Sequence, residues 1–206
     1  MKKLLIFVFI ILITSCKSQY STTALRNNFS ADQIEDLNKI TEFFKEQMCF
    51  NTQSDFRKCY KRIPHDYLKA YGSGFWTNIN FDQQKDLYNQ ISKKTFNEIW
   101  MFSTATFYPS GTKAKSLSAV ALGKYQKFLE DFGKHNPRIA KYAERIKANG
   151  DFSGFDFNYR EILKDRKSFD LKDPNIQLIL AIHYLSLNDQ DTRNKSQMQT
   201  KKLKFE

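Results

Sequence analysis

The chain has 206 residues, 41% of them hydrophobic and 27% charged, with a formal net charge of +11. That balance suits one ordinary domain with its own core and excludes both wholesale disorder and a polytopic membrane protein. Seven Gly and four Pro are too few for a collagen-like, Pro-rich or turn-dense all-β architecture, so the predicted fold class is all-α, a single helical domain of about six to seven helices.

The N-terminus opens with Met1, Lys2 and Lys3, followed by an uninterrupted apolar run from Leu4 to Ile13 and then Thr14, Ser15 and Cys16. A bilayer-spanning helix needs about 20 apolar residues; this shorter run behind a basic start has the layout of a signal peptide. Its ending, Ile13-Thr14-Ser15-Cys16, resembles the lipobox of bacterial lipoproteins: an aliphatic residue, a small residue before the cut, then the cysteine. The resemblance implies that residues 1–15 are removed by the lipoprotein signal peptidase. It also implies that the Cys16 thiol takes a diacylglycerol as a thioether and that a further fatty acid such as palmitate caps the new amino group. Two chains suffice for stable anchoring where one is marginal. The expected location is the bacterial cell envelope, on a membrane. Lys17-Ser18-Gln19 lacks the acidic residues that some surface-exported lipoproteins carry after the cysteine, which favours an outer-membrane protein facing the periplasm.

Removing Lys2 and Lys3 with the signal lowers the formal charge from +11 to +9. In the envelope such a charge meets acidic proteins, anionic glycans and lipid phosphates, so nucleic acid is not an expected partner. Residues 16–28 are polar and without period and read as a lipidated tether, with a helical domain over 29–187 and a basic mobile tail over 188–206.

Ser30 and Gln33 form a capping box, and Ile34, Leu37, Thr41, Phe44 and Met48 continue an apolar stripe, which predicts a helix over 30–49. Cys49 and Cys59 are the even remainder once Cys16 is used for lipid, and an oxidising compartment favours a disulfide. Ten residues of continuous helix would hold their Cα atoms about 15 Å apart, whereas a disulfide needs less than about 7 Å. The chain must therefore turn at Asn51–Ser54 before a short helix to Arg62; two free buried thiols are the competing reading. Gly72 and Gly74 mark a loop carrying Phe75 and Trp76, an apolar pair that either packs or recognises a partner. Asn80 caps a helix through Leu87 and Ile91.

Residues 95–108 have the aromatic and β-branched content of a strand. With no evident partner strand they are read as a helix ending before Pro109. Leu117, Val120, Ala121, Phe128 and Phe132 predict the next helix, and Asn136-Pro137 opens another that Asn149-Gly150 closes. A further helix runs over 156–167, and Asp173-Pro174 starts a last, central helix with no charged residue between Pro174 and Leu187.

The chemistry is sparse. His65, His135 and His183 have no metal-ligand spacing, so neither metal nor cofactor is expected, and His183 on the uncharged last helix reads as a core histidine. Ser110-Gly111-Thr112-Lys113 matches the S-x-x-K of penicillin-binding proteins and serine β-lactamases, but no K-T-G follows and it falls in a loop. Glu98 beside Trp100 is the weak candidate for a general acid in a cell-wall glycan hydrolase, though the Glu-Ser pair of lytic transglycosylases is missing. Charge is more suggestive. Residues 30–48 carry Asp32, Glu35, Asp36, Glu42 and Glu46 against Lys39 and Lys45, a net of −3, whereas residues 113–147 carry nine bases and three acids, a net of +6. Arg138, Lys141 and Arg145 share one helical face, backed by Lys134. The expected role is thus binding rather than catalysis, contacting an acidic protein, an anionic glycan or an incoming toxin through Lys134, Arg138, Lys141 and Arg145, with a cell-wall glycan hydrolase using Glu98 as the alternative. A plain solvated face is the competing reading.

Overall fold

The structure, a computed structural model, describes residues 21–49, 55–63, 74–109, 111–153 and 156–202. The expected signal peptide, Cys16, the expected turn at 51–54, His65 and Ser110 lie outside the described residues. Helix α1 (Thr23–Asn28) is capped by the Thr22 side chain and buries Leu25. The folded part therefore begins before Phe29, inside the segment read as tether. A six-residue helix with so little apolar surface has no period to betray it. What secures it is long-range, the Thr22 hydroxyl donating to Asn175 Oδ1 at 2.6 Å.

Helix α2 (Ala31–Met48) opens with the expected capping box, Ser30 and Gln33 each bonding the other's backbone N–H, and buries Ile34, Leu37, Ile40, Phe44 and Met48. The short α3 (Phe56–Tyr60) follows, and Cys49 and Cys59 are paired at disulfide distance with Cα atoms 5.5 Å apart. A 3-10 turn at Phe75–Asn78, entered through Gly74 at φ 99°, leads to α4 (Phe81–Gln90) and α5 (Lys93–Ile99).

Here the all-α expectation is corrected. The fold is mostly helical, but α5 ends at Ile99 and the chain continues as β1 (Trp100–Phe107), turns, and returns as β2 (Thr112–Ala119), an antiparallel pair with Trp100 opposite Ala119 and Phe107 opposite Thr112. Residues 95–108 are thus not one helix, and Leu117 belongs to a strand. The strand content of 100–107 finds its missing partner in 112–119, where Leu117 fits a period of two as well as one of 3.6, so pairing decides.

Helices α6 (Lys124–Gly133) and α7 (Pro137–Asn149) form a hairpin whose backbones approach closely at Gly133, where an added Cβ would run into Ala140. After α8 (Tyr159–Lys164) comes α9 (Pro174–Lys202), the axis of the fold. Every residue from Asn175 to Asp189 is buried, and α2, α4, the hairpin base and the 3-10 turn all pack on it. The helix does not end at Leu187, so no tail begins at 188. Its apolar pattern stops there because the next interior side chains are polar with built partners. Asn188 Nδ2 donates to Ile79 O (3.2 Å) and Gln84 Oε1 (2.8 Å), and the Arg193 guanidinium donates to both oxygens of the fully buried Asp189 (2.6 and 3.0 Å).

Candidate functional site

Helix α7 carries the basic stripe. Its Asn136 cap accepts from Ile139 N–H, and Gly150 ends it at φ 64°, a conformation that suits glycine. Ile139, Tyr142, Ala143 and Ile146 face the core, which sets Arg138, Lys141 and Arg145 on the opposite side as the spacing predicts. That side is not a plain solvated face. It forms one wall of a cleft of about 220 Å³ whose other walls come from the 156–169 segment, with Phe157 and Phe169 against the cations and Asp156 and Glu161 across from them.

The carboxylates engage two of the cations. Arg138 pairs with Glu161, both about half exposed, and its guanidinium lies 5.9 Å from the Phe169 ring. Arg145 pairs with the buried Asp156. Lys134 is bonded to Asp131 at 2.7 Å and Lys147 to Glu130 at 2.9 Å. Of the four cations Lys134, Arg138, Lys141 and Arg145, Lys141 alone, exposed between the two arginines, makes no ion pair with a described residue. Two acids from outside the segment, Asp156 and Glu161, therefore offset part of its net charge of +6, and sequence distance conceals both.

Beneath the cleft floor the Tyr142 hydroxyl meets His183 Nδ1 at 3.2 Å. His183 is fully buried among Phe157, Phe152 and Tyr184. Burial, reinforced by the nearby Arg145 charge, pushes its pKa down to about 3, so it is a neutral core group at physiological pH. His135 is exposed in the turn between α6 and α7.

The other sequence candidates have structural tasks. Glu98 on α5 is half-buried, and its Oε2 accepts from Lys124 N–H at 2.8 Å. It caps α6 from another element because Gly123, the residue at the cap position, has no side chain to do so, and a Cβ there would collide with the Glu98 carbonyl. Phe75 and Trp76 are buried, so they are not a partner-binding pair. Phe75 packs edge-on against Tyr60, Tyr159 and Tyr184, and Trp76 Nε1 donates to Asp191 Oδ2 at 2.7 Å. Lys113 lies on β2, so the S-x-x-K residues do not form the helical turn that motif requires. Among the described residues no group of three or more His, Cys, Asp or Glu is arranged to hold a metal ion, and no helix is long and apolar enough to cross a membrane.

The exposed β-hairpin is the feature that sequence reasoning missed. Its signal was the Pro109-Ser110-Gly111 turn between two segments that each admit a period of two. No protein-family model, curated protein or solved structure matches the chain.

Proposed function

We propose that this protein is a lipoprotein of the bacterial cell envelope, anchored through acylated Cys16 on the outer membrane and facing the periplasm, whose domain binds an anionic partner, either an acidic protein or an anionic glycan. The cleft on α7 carries this reading. Three cations from one helix face line a cavity with an aromatic floor, Lys141 has no carboxylate of its own, and the Arg138–Glu161 pair is exposed enough to exchange for an incoming anion. Such exposed pairs contribute about 0–1 kcal/mol, so exchanging one costs little. Arg145 is different, since its partner Asp156 is buried and the pair holds the cleft wall. The glycan-hydrolase alternative has no support of its own, because the Glu98 carboxylate is committed to α6.

The test uses Arg138→Gln with Lys141→Glu, leaving Arg145 in place, and two probes, an acidic peptide and a carboxylated polysaccharide. The wild type should bind one of them saturably at low salt and lose it as salt screens exposed charges over about 8 Å. The double variant should keep its melting temperature and lose that binding. Binding of neither probe, or equal binding by the double variant, overturns the site. The anchor is tested separately: fatty-acid labelling should mark the wild type and not Cys16→Ser.

A further inference from the structure

The two-stranded sheet has one open, unprotected edge. At the hairpin base the outer side of β2 is engaged, with Ala119 N–H donating to Gly150 O at 2.9 Å and Leu117 O accepting from Gln190 Nε2 at 2.7 Å. β1 has β2 as its only strand neighbour, and among the described residues no other backbone group pairs with it over Met101–Phe107. Free edges are ordinarily blunted by charge, proline or a bulge. Residues 100–108, WMFSTATFY, contain no charged residue and no proline, and the register of β1 on β2 runs without a bulge.

Exposed apolar surface gathers on the same strand and at its end. Of the four exposed large apolar side chains among the described residues, three are Met101 (49% exposed), Phe102 (36%), whose ring stacks on Phe96 and lies under the Arg193 guanidinium, and Tyr108 (86%), in the turn after β1. Beyond the Phe102–Leu117 pair, Thr104, Thr106, Lys113 and Lys115 are all exposed, and the Lys115 ammonium lies 4.1 Å from the Phe102 ring on the same face of the ribbon. A lone two-stranded ribbon is marginal in water and gains stability from further strands.

We infer that β1 is the interface for a second copy of this chain. The two β1 strands pair antiparallel about a two-fold axis at Thr104 and give a four-stranded sheet ordered β2-β1-β1-β2. The strand's own residue order selects this occupant. About Thr104, Phe102 falls opposite Thr106 of the second copy, Ser103 opposite Ala105, and Met101 opposite Phe107, so aromatic meets β-branched and small meets small with no charge in the pairing. Lys113 and Lys115 go to the outer strands, where at ordinary strand spacing the Cα atoms of Lys115 and its symmetry mate are about 14 Å apart and those of Lys113 about 20 Å, beyond a Debye length. An acidic strand would be drawn instead to the lysine-bearing β2. A self-complementary patch is what a two-fold interface requires.

Sedimentation equilibrium of the full chain in detergent tests this with Thr104→Glu and Thr104→Gln. Within one hairpin residue 104 faces Lys115, so the glutamate leaves the ribbon intact; across the two-fold it faces itself. The wild type and Thr104→Gln should be dimeric at about 100 μM, and Thr104→Glu should raise the dimer Kd about fivefold. A second measurement stands apart from variants: amide exchange over Met101–Phe107 in the wild type should slow as concentration rises. A monomeric wild type, concentration-independent exchange, or equal association of the Glu and wild-type chains overturns the interface.

Discussion

At the scale of single residues, polar groups here act mostly by satisfying backbone ends and one another. Asp36 on α2 is the clearest case. Burial works against its charge, but donation from the Ser92 backbone N–H and the Thr95 hydroxyl, with Lys39 beside it, outweighs that and holds its carboxyl below the usual range. Glu98 does similar work at α6. Glu98→Ala should cost about 1 kcal/mol, the usual value of a lost helix cap, whereas Glu98→Gln keeps an accepting oxygen and should stay near wild type in urea unfolding. His183 makes stability depend on pH. Its pKa is about 3 when folded and near 6.5 when unfolded, so the unfolded chain binds the proton more tightly. The stability this represents is present above pH 6.5 and is lost as pH falls toward 3, at about 1.4 kcal/mol per unit. Between pH 6.5 and 5, above the range in which Asp36 and the other stabilised carboxylates titrate, the wild type should lose about 2 kcal/mol more than His183→Phe in chemical denaturation.

At the scale of elements, α9 extends well past the point where its apolar run stops. Ending the chain after Leu187 removes Asn188 from Ile79 and Gln84, Asp191 from Trp76, and Gln190 from Leu117. Each deletion leaves a buried or half-buried polar group without its partner, at about 1–3 kcal/mol apiece. The truncated chain should therefore lack a cooperative thermal transition, and a wild-type melt would refute this account of the helix. The sequence announces helices that carry a local device. The Ser30–Gln33 box, the Asn80 cap and the Asn136-Pro137 start are chemistry within four residues, and the elements they open are where that chemistry puts them. It conceals what depends on distant groups: α1 leans on Asn175, the end of α9 on Gln84 and Ile79, and β1 on a strand whose lysines and serines have little strand propensity. The stripe of Arg138, Lys141 and Arg145 was legible for the same reason as the caps, through spacing alone. Its acidic neighbours Asp156 and Glu161 were not, since only the return of the chain after α7 brings them across.

At the scale of the molecule, the order in which the parts become available matters. The fold closes around the segment that follows all its other elements in the chain. Thr22 waits for Asn175 and Tyr60 for Tyr184, bonds that span 153 and 124 residues. Until residues 174–202 are present, α2, α4, the base of the hairpin and α7 surround an empty centre and cannot complete a core. Contacts so distant in sequence form late, because the entropy of closing the intervening loop is lost before they contribute. A nascent chain built this way stays open through most of its synthesis and collapses only when its axis arrives.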